Sequence, residues 1–141
     1  MTIYGVTGAT GGFGSHVVRV LLDKGVAPGN IVAIVRDRAK AGEWESLGLD
    51  VRLGDFDAPD TLESGLDGVD ILLLVSTGHV PNRVRQHKAV IEAAGRTGVE
   101  RIVYTSVLQA DTSKMGLAAD RLLSRAKIAN MIRDRRAARA L

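Results

Sequence analysis

The chain of 141 residues is long enough for one domain with a sizeable core and too short for two substantial ones. Hydrophobic residues make up 45% and charged residues 25%, with no cysteine, which excludes disulfides, thiolate nucleophiles and Cys-ligated zinc. The net charge of +3 is unevenly divided: Lys114 to Leu141 holds eight basic residues against two acidic ones, leaving the rest mildly acidic.

Thr2 to Val6 reads as a short strand running into a glycine-rich turn, Gly8-Ala-Thr-Gly-Gly-Phe-Gly14. Val17, Val18, Val20, Leu21 and Leu22 then give a helix with a broad apolar face, closed by Gly25 and Pro28. Ile31 to Val35 is a continuous β-branched run, the pattern of a strand buried on both faces. Asp37 caps a predicted helix from Arg38 to Leu47 that ends at Gly48. Val51 to Leu53 is a third strand, stopped by Gly54-Asp55, and Ala58-Pro59-Asp60 opens a helix with Leu62 and Leu66 inward. Asp70 to Val75 is the strongest buried strand. Asn82 to Arg96 is predicted helical, with Val84, Ala89, Val90, Ile91, Ala93 and Ala94 on its apolar side, and Arg101 to Thr105 is a fifth strand. Leu117 to Arg136 has helical spacing with arginines on its other face, so the segment 116–141 is expected to be a basic helix and tail.

Strand and helix alternate in pieces of about 20 to 25 residues, the signature of right-handed βαβ crossovers. The expected architecture is a doubly wound α/β domain over residues 1–141, its parallel sheet ordered 3-2-1-4-5. No apolar run reaches membrane-spanning length and the N-terminus lacks a signal-peptide pattern, so neither a membrane partner nor export is expected and a cytoplasmic address is the default. His16, His79 and His87 do not cluster with carboxylates at ligand spacing, so no metal site is expected. The basic segment reads as a solvated helix face rather than a nucleic-acid surface.

A helix that starts just after a strand leaves its first amides unpaired, with the positive end of the dipole behind them, and a pyrophosphate satisfies both. In the glycine turn, Gly8 permits the bend, Gly11 lets a diphosphate approach, and Gly14 lets helix and strand pack closely; Thr7 and Thr10 offer hydroxyl donors. The spacing is G-x-x-G-x-x-G. Its position between a strand and an apolar helix points to a dinucleotide.

Thr7-Gly-Ala-Thr-Gly-Gly-Phe-Gly14 resembles the atypical short-chain dehydrogenase/reductase superfamily. Ile31 to Arg36, Val51 to Phe56, Leu72 to Thr77 and Arg101 to Ser106 narrow the resemblance to the NmrA-like group, most closely its NAD(P)H-dependent quinone oxidoreductases. It spans roughly residues 1 to 120. Such proteins run to about twice this length, so the resemblance implies a chain truncated after the fifth strand, lacking the C-terminal strands and most of the substrate region.

The candidate cofactor-binding residues are Gly8, Thr10, Gly11, Gly12, Phe13, Gly14, Arg36, Asp55, Phe56, Ser76 and Thr77. Dinucleotide folds choose between cofactors at the tip of the second strand. There Arg36 suits a 2′-phosphate, with Lys40 nearby, so NADP(H) is expected over NAD(H); the alternatives are a solvated Arg-Asp-Arg cap at a helix N-terminus, or Asp37 serving the ribose 2′-hydroxyl. By the resemblance, Asp55 falls near the adenine, with Phe56 against the ring, although Gly54-Asp55 also reads as a plain turn. Ser76 and Thr77 end the fourth strand and should line the cleft near the ribose or nicotinamide.

Tyr4 and Tyr104 are followed four residues later by Gly8 and Leu108, so the superfamily's Tyr-x-x-x-Lys pair is absent and no catalytic residue is assigned. A quinone tolerates that, being a strong hydride acceptor that needs little beyond orientation. Gln86 and Ser106 are candidates for the substrate or nicotinamide side. Ser106 lies near the superfamily's catalytic serine but also reads as a strand-end polar residue. His79, Gln86 and His87 otherwise read as surface or helix-face positions, Trp44 as packing, and Tyr104 as core with its hydroxyl near an edge. Two functions compete: an NADPH-dependent oxidoreductase passing hydride to a quinone-like small molecule, and a non-catalytic NADP-binding redox sensor. A sheet ending at the fifth strand would also favour self-association through its uncovered edge.

Overall fold

The computed structural model describes residues 1–77 and 80–105. The expected helix over 117–136, Ser106 and His79 lie outside the described residues. The chain alternates β1 (Tyr4–Thr7), α1 (Gly12–Asp23), β2 (Ile31–Val35), α2 (Gly42–Ser46), β3 (Asp50–Leu53), α3 (Asp60–Leu66), β4 (Ile71–Leu74), α4 (Arg83–Thr97) and β5 (Arg101–Tyr104). Among the described residues the four strand pairings are all parallel, and the order is β3-β2-β1-β4-β5, as the sequence predicts.

Two apolar layers sandwich the sheet, and β2 shows why its sequence is uninterrupted. Ile31, Ala33 and Val35 face a cluster with Val18, Trp44 and Leu49. Val32 and Ile34 face the opposite cluster, with Leu62, Leu66, Leu72, Val90 and Ile91. Every β2 residue is therefore buried, which the two-sided environment of a parallel strand requires. Among the described residues, β3 and β5 flank the sheet, and Val103 on β5 is exposed. No helix among the described residues is long and apolar enough to cross a membrane.

Element ends shift by a residue or two from the sequence reading, and three of the differences have a visible cause. β1 starts at Tyr4 rather than Thr2, because its pairing with β2 and β4 begins at Tyr4 opposite Ile31 and Ile71. Asp70, expected inside the fourth strand, precedes it; its carboxylate accepts the Ile3 amide at 2.8 Å. The helix expected from Arg38 to Leu47 is split into a 3₁₀ turn over Arg38–Lys40 and the short α2. Asp37 does cap, accepting from the Ala39 amide at 3.0 Å, but Ala41 departs from helical geometry (φ −105°, ψ 13°) and interrupts the run.

Candidate functional site

The carboxyl ends of β1, β2, β3 and β4 open onto one cleft of about 600 Å³. It lies on both sides of β1, where the chain direction across the sheet reverses, which is where open α/β sheets place their ligands. The cleft is lined by Gly8, Thr10, Gly11, Gly12, Phe13 and Gly14 from the turn, Arg36, Asp37 and Lys40 after β2, Asp55, Phe56 and Asp57 after β3, and Ser76, Thr77 and Gln86. Apart from Thr7, the described cofactor-side candidates from the sequence, and Gln86, thus border a single opening.

The turn is built for close approach. Gly8 sits at φ 61°, in the left-handed region that favours glycine, and its carbonyl accepts the Gly11 amide at 2.9 Å. A Cβ on Gly14 would lie 2.1 Å from that carbonyl oxygen, so only glycine lets α1 press against the turn. The first bond of α1 runs from the Ser15 amide to Gly11 at 2.9 Å. The amides of Gly12, Phe13 and Gly14 precede it and have no partner among the described residues; Gly11 caps without a side chain, and the first turn holds no acidic residue. An anion is what this end of the helix lacks.

Behind the turn, Trp44 reaches over from α2 and its Nε1–H donates to the Ala9 carbonyl at 2.9 Å. The indole is buried, as the packing reading expected, with the Arg19 guanidinium stacked 5.1 Å from the ring centre. This bond ties the turn to the segment that follows β2.

In that segment the charges sort themselves. Asp37 is committed to its cap, and Arg38 is paired with Glu45 at 2.9 Å. Arg36 and Lys40 both border the cleft, and neither side chain has a hydrogen bond or ion pair among the described residues. Of the two sequence readings of Arg-Asp-Arg, the cap is real, and it leaves Arg36 available.

After β3, Asp55 is both cleft wall and turn. Its amide donates to Thr61 Oγ1 at 2.9 Å and its Oδ1 accepts the Asp57 amide at 2.9 Å. Phe56 reaches the cleft but is mostly buried in the core, edge-on to His87 with ring centres 6.5 Å apart. Both Gln86 and His87 lie on a helix face, but a buried one, so the surface reading is overturned. His87 is fully buried and Gln86 is 6% exposed, because both lie on the α4 face that packs on the sheet. Spacing carried the signal: Gln86 and His87 stand one turn before the buried Val90 and Ile91. Tyr104 is half-buried, its hydroxyl 3.2 Å from His87 Nδ1.

Thr7 also differs from expectation. Its hydroxyl, read as a phosphate donor, instead donates to the Leu73 carbonyl at 3.2 Å and accepts the Val75 amide at 2.9 Å. It stitches β1 to the end of β4. Sequence reasoning missed Asp57, which lines the cleft and accepts from Arg85 at 2.6 Å and from Gln86 Nε2 at 3.0 Å. No residue type or spacing marked it.

A parallel sheet of this order, with a glycine turn feeding a helix N-terminus beside the cations Arg36 and Lys40, defines a Rossmann-like dinucleotide-binding domain. Comparison with known proteins agrees. The chain belongs to the NAD(P)H-binding family, whose model matches residues 8–141. It is 46% identical over 117 residues to quinone oxidoreductase 2 of Escherichia coli, covering 83% of this chain and 41% of that one. An NmrA-like family domain-containing oxidoreductase of Aspergillus flavus is 33% identical over 108 residues, 74% of this chain and 35% of that protein. The crystal structure of an E. coli NADPH-dependent quinone oxidoreductase in complex with NADPH superposes with a TM-score of 0.82 at 43% identity, covering 92% of this chain and 45% of that one. The expected resemblance to NmrA-like reductases holds, and the chain spans less than half the length of these relatives.

Proposed function

We propose that the cleft binds NADPH in preference to NADH, and that the chain is the cofactor-binding part of a reductase whose acceptor is a quinone-like small molecule. The observation that carries the preference is the pair Arg36 and Lys40, two cations bordering the cleft beside the tip of β2, neither engaged by another described residue. A 2′-phosphate there gains charge-assisted hydrogen bonds that a 2′-hydroxyl does not. The open amides of Gly12, Phe13 and Gly14 receive the diphosphate, and the close approach at Gly14 keeps that helix end in place. Asp55 and Phe56 border the adenine half, and Thr10, Ser76, Thr77 and Gln86 border the rest.

Bound NADPH supplies the hydride; the protein's share is to orient the acceptor and exclude water. A quinone takes one hydride and one proton to become a hydroquinone, a reaction easy enough to proceed without a tyrosine–lysine pair. The supporting relatives are oxidoreductases by name.

The test is a fluorescence titration of the purified chain with NADPH and with NADH, followed by turnover with a benzoquinone. Tighter binding of NADPH together with quinone-dependent oxidation supports the reading. Equal affinities refute the preference, and no binding of either refutes the site. Tight binding without turnover favours the redox-sensor alternative.

A further inference from the structure

Beyond β4, three consecutive residues run along the cleft, and among the described residues no strand lies beside them to take their amides. Each amide is caught instead by a side chain from a different part of the fold. Val75 N–H donates to Thr7 Oγ1 on β1 at 2.9 Å, and Ser76 N–H to Thr105 Oγ1 after β5 at 2.7 Å. Thr77 N–H donates to Nε2 of His87 on α4 at 3.1 Å. The remaining groups of Thr77 are also held by α4: its hydroxyl donates to Gln86 Oε1 and its carbonyl accepts from Arg83 Nε, each at 2.9 Å.

We propose that His87 is a positioning residue: a neutral imidazole, protonated on Nδ1, that fixes the Thr77 peptide and with it the cleft wall facing the redox end of a bound dinucleotide. This rests on the cofactor reading above. The protonation state follows from donor logic. A backbone N–H can only donate, so Nε2 must present its lone pair, and the single ring proton sits on Nδ1. That N–H faces the Tyr104 hydroxyl at 3.2 Å, which accepts it. An imidazolium, or the opposite tautomer, would set two donors against each other at Thr77.

The ring cannot turn away to relieve such a clash. Phe56 meets it edge-on at 6.5 Å and Tyr104 at 5.4 Å, and no part of it reaches solvent. Core packing alone would be served better by leucine or phenylalanine, since a buried imidazole is costly unless its nitrogens are satisfied. What a histidine adds is an acceptor for a strand-end amide that the sheet has abandoned.

Two measurements test this. In a long-range nitrogen–proton spectrum of the labelled, cofactor-free protein, assigned by comparison with His87→Gln, the His87 ring is expected neutral with its proton on Nδ1. A proton on Nε2 overturns the proposal. The second measurement compares NADPH with adenosine 2′,5′-bisphosphate, which carries the adenine half and no nicotinamide. His87→Phe fills the site without an acceptor and is expected to weaken NADPH about tenfold, the scale of one lost hydrogen bond to a part-buried amide, while the bisphosphate changes less than about twofold. His87→Gln, whose carbonyl oxygen can take the Thr77 amide, is expected to recover most of the loss. Equal weakening of both probes by His87→Phe, or no recovery by His87→Gln, overturns the proposal. A wild-type chain that binds neither probe sinks the cofactor reading, and this role of His87 toward a cofactor with it; the ring spectrum then still decides the contact with Thr77.

Discussion

Replacing Gly14 by alanine sets a stability cost at the turn itself, separable from any effect on binding. The new methyl carbon would start 2.1 Å from the Gly8 carbonyl oxygen, 2.7 Å from its carbon and 3.1 Å from Ala9 Cα. All three neighbours are backbone, in the turn that follows β1 and is tied down by the Gly11 amide on the Gly8 carbonyl and the Trp44 indole on the Ala9 carbonyl, so no side chain can swing aside. α1 must withdraw from the turn by nearly an ångström to reach the shortest separation that real Cβ atoms show. Overpacking of this kind costs about 1–3 kcal/mol, and backbone on every side puts Gly14→Ala near the upper figure. Alanine's better helix propensity returns roughly 0.5–1 kcal/mol, leaving a net loss of about 2 kcal/mol. Gly12 provides the internal comparison. It lies in the same helical turn and borders the same cleft, but a Cβ there meets nothing within 4 Å. Gly12→Ala is therefore expected to be neutral or to stabilise by up to about 1 kcal/mol, while its methyl fills the approach to the helix amides. Urea denaturation at equilibrium reads the first quantity and NADPH titration the second. The expected pattern is a crossed one, in which Gly14→Ala loses stability and Gly12→Ala keeps stability but binds NADPH at least about tenfold more weakly. A Gly14→Ala protein as stable as wild type would refute the close-approach argument. A Gly12→Ala protein with unchanged affinity would refute ligand entry over that turn.

Arg36→Ala is expected to weaken NADPH about tenfold and NADH less than about twofold, since it removes a charge-assisted partner of the 2′-phosphate alone. Lys40→Ala should act in the same direction more weakly, because a lysine offers a point charge rather than a fork; parallel titrations at low and high salt read both. Trp44→Phe keeps most of the ring volume but removes the donor to the Ala9 carbonyl, 2.9 Å away in a buried setting. It is expected to cost about 1–3 kcal/mol in urea denaturation, and a smaller loss than that would show the carbonyl finding water.

The sheet could be read from the chain because a parallel strand covered on both faces leaves a continuous apolar run, as in Ile31–Val35, and glycine turns mark where each run stops. The cleft residues on the strand ends were readable for the same reason: once a strand's end is placed, Arg36, Asp55 and Ser76 fall on the binding side of the sheet. What periodicity could not show is how polar groups are shared between elements that meet only in three dimensions. Thr7 looked like a phosphate donor because it stands beside the glycine turn. The β1–β4 ladder ends at Val6 opposite Leu73, so its hydroxyl takes the place of the next rung. His87 and Gln86 looked like surface residues because polarity was weighed before position. One helical turn from Val90 and Ile91, they had to enter the core, and the Thr77 segment supplied the partners that made this tolerable. The motif residues that border the cleft were thus visible in the sequence, whereas the buried bonds that Thr7 and His87 make to hold its wall were not. The identity of these supports depends on which backbone amides the sheet leaves over.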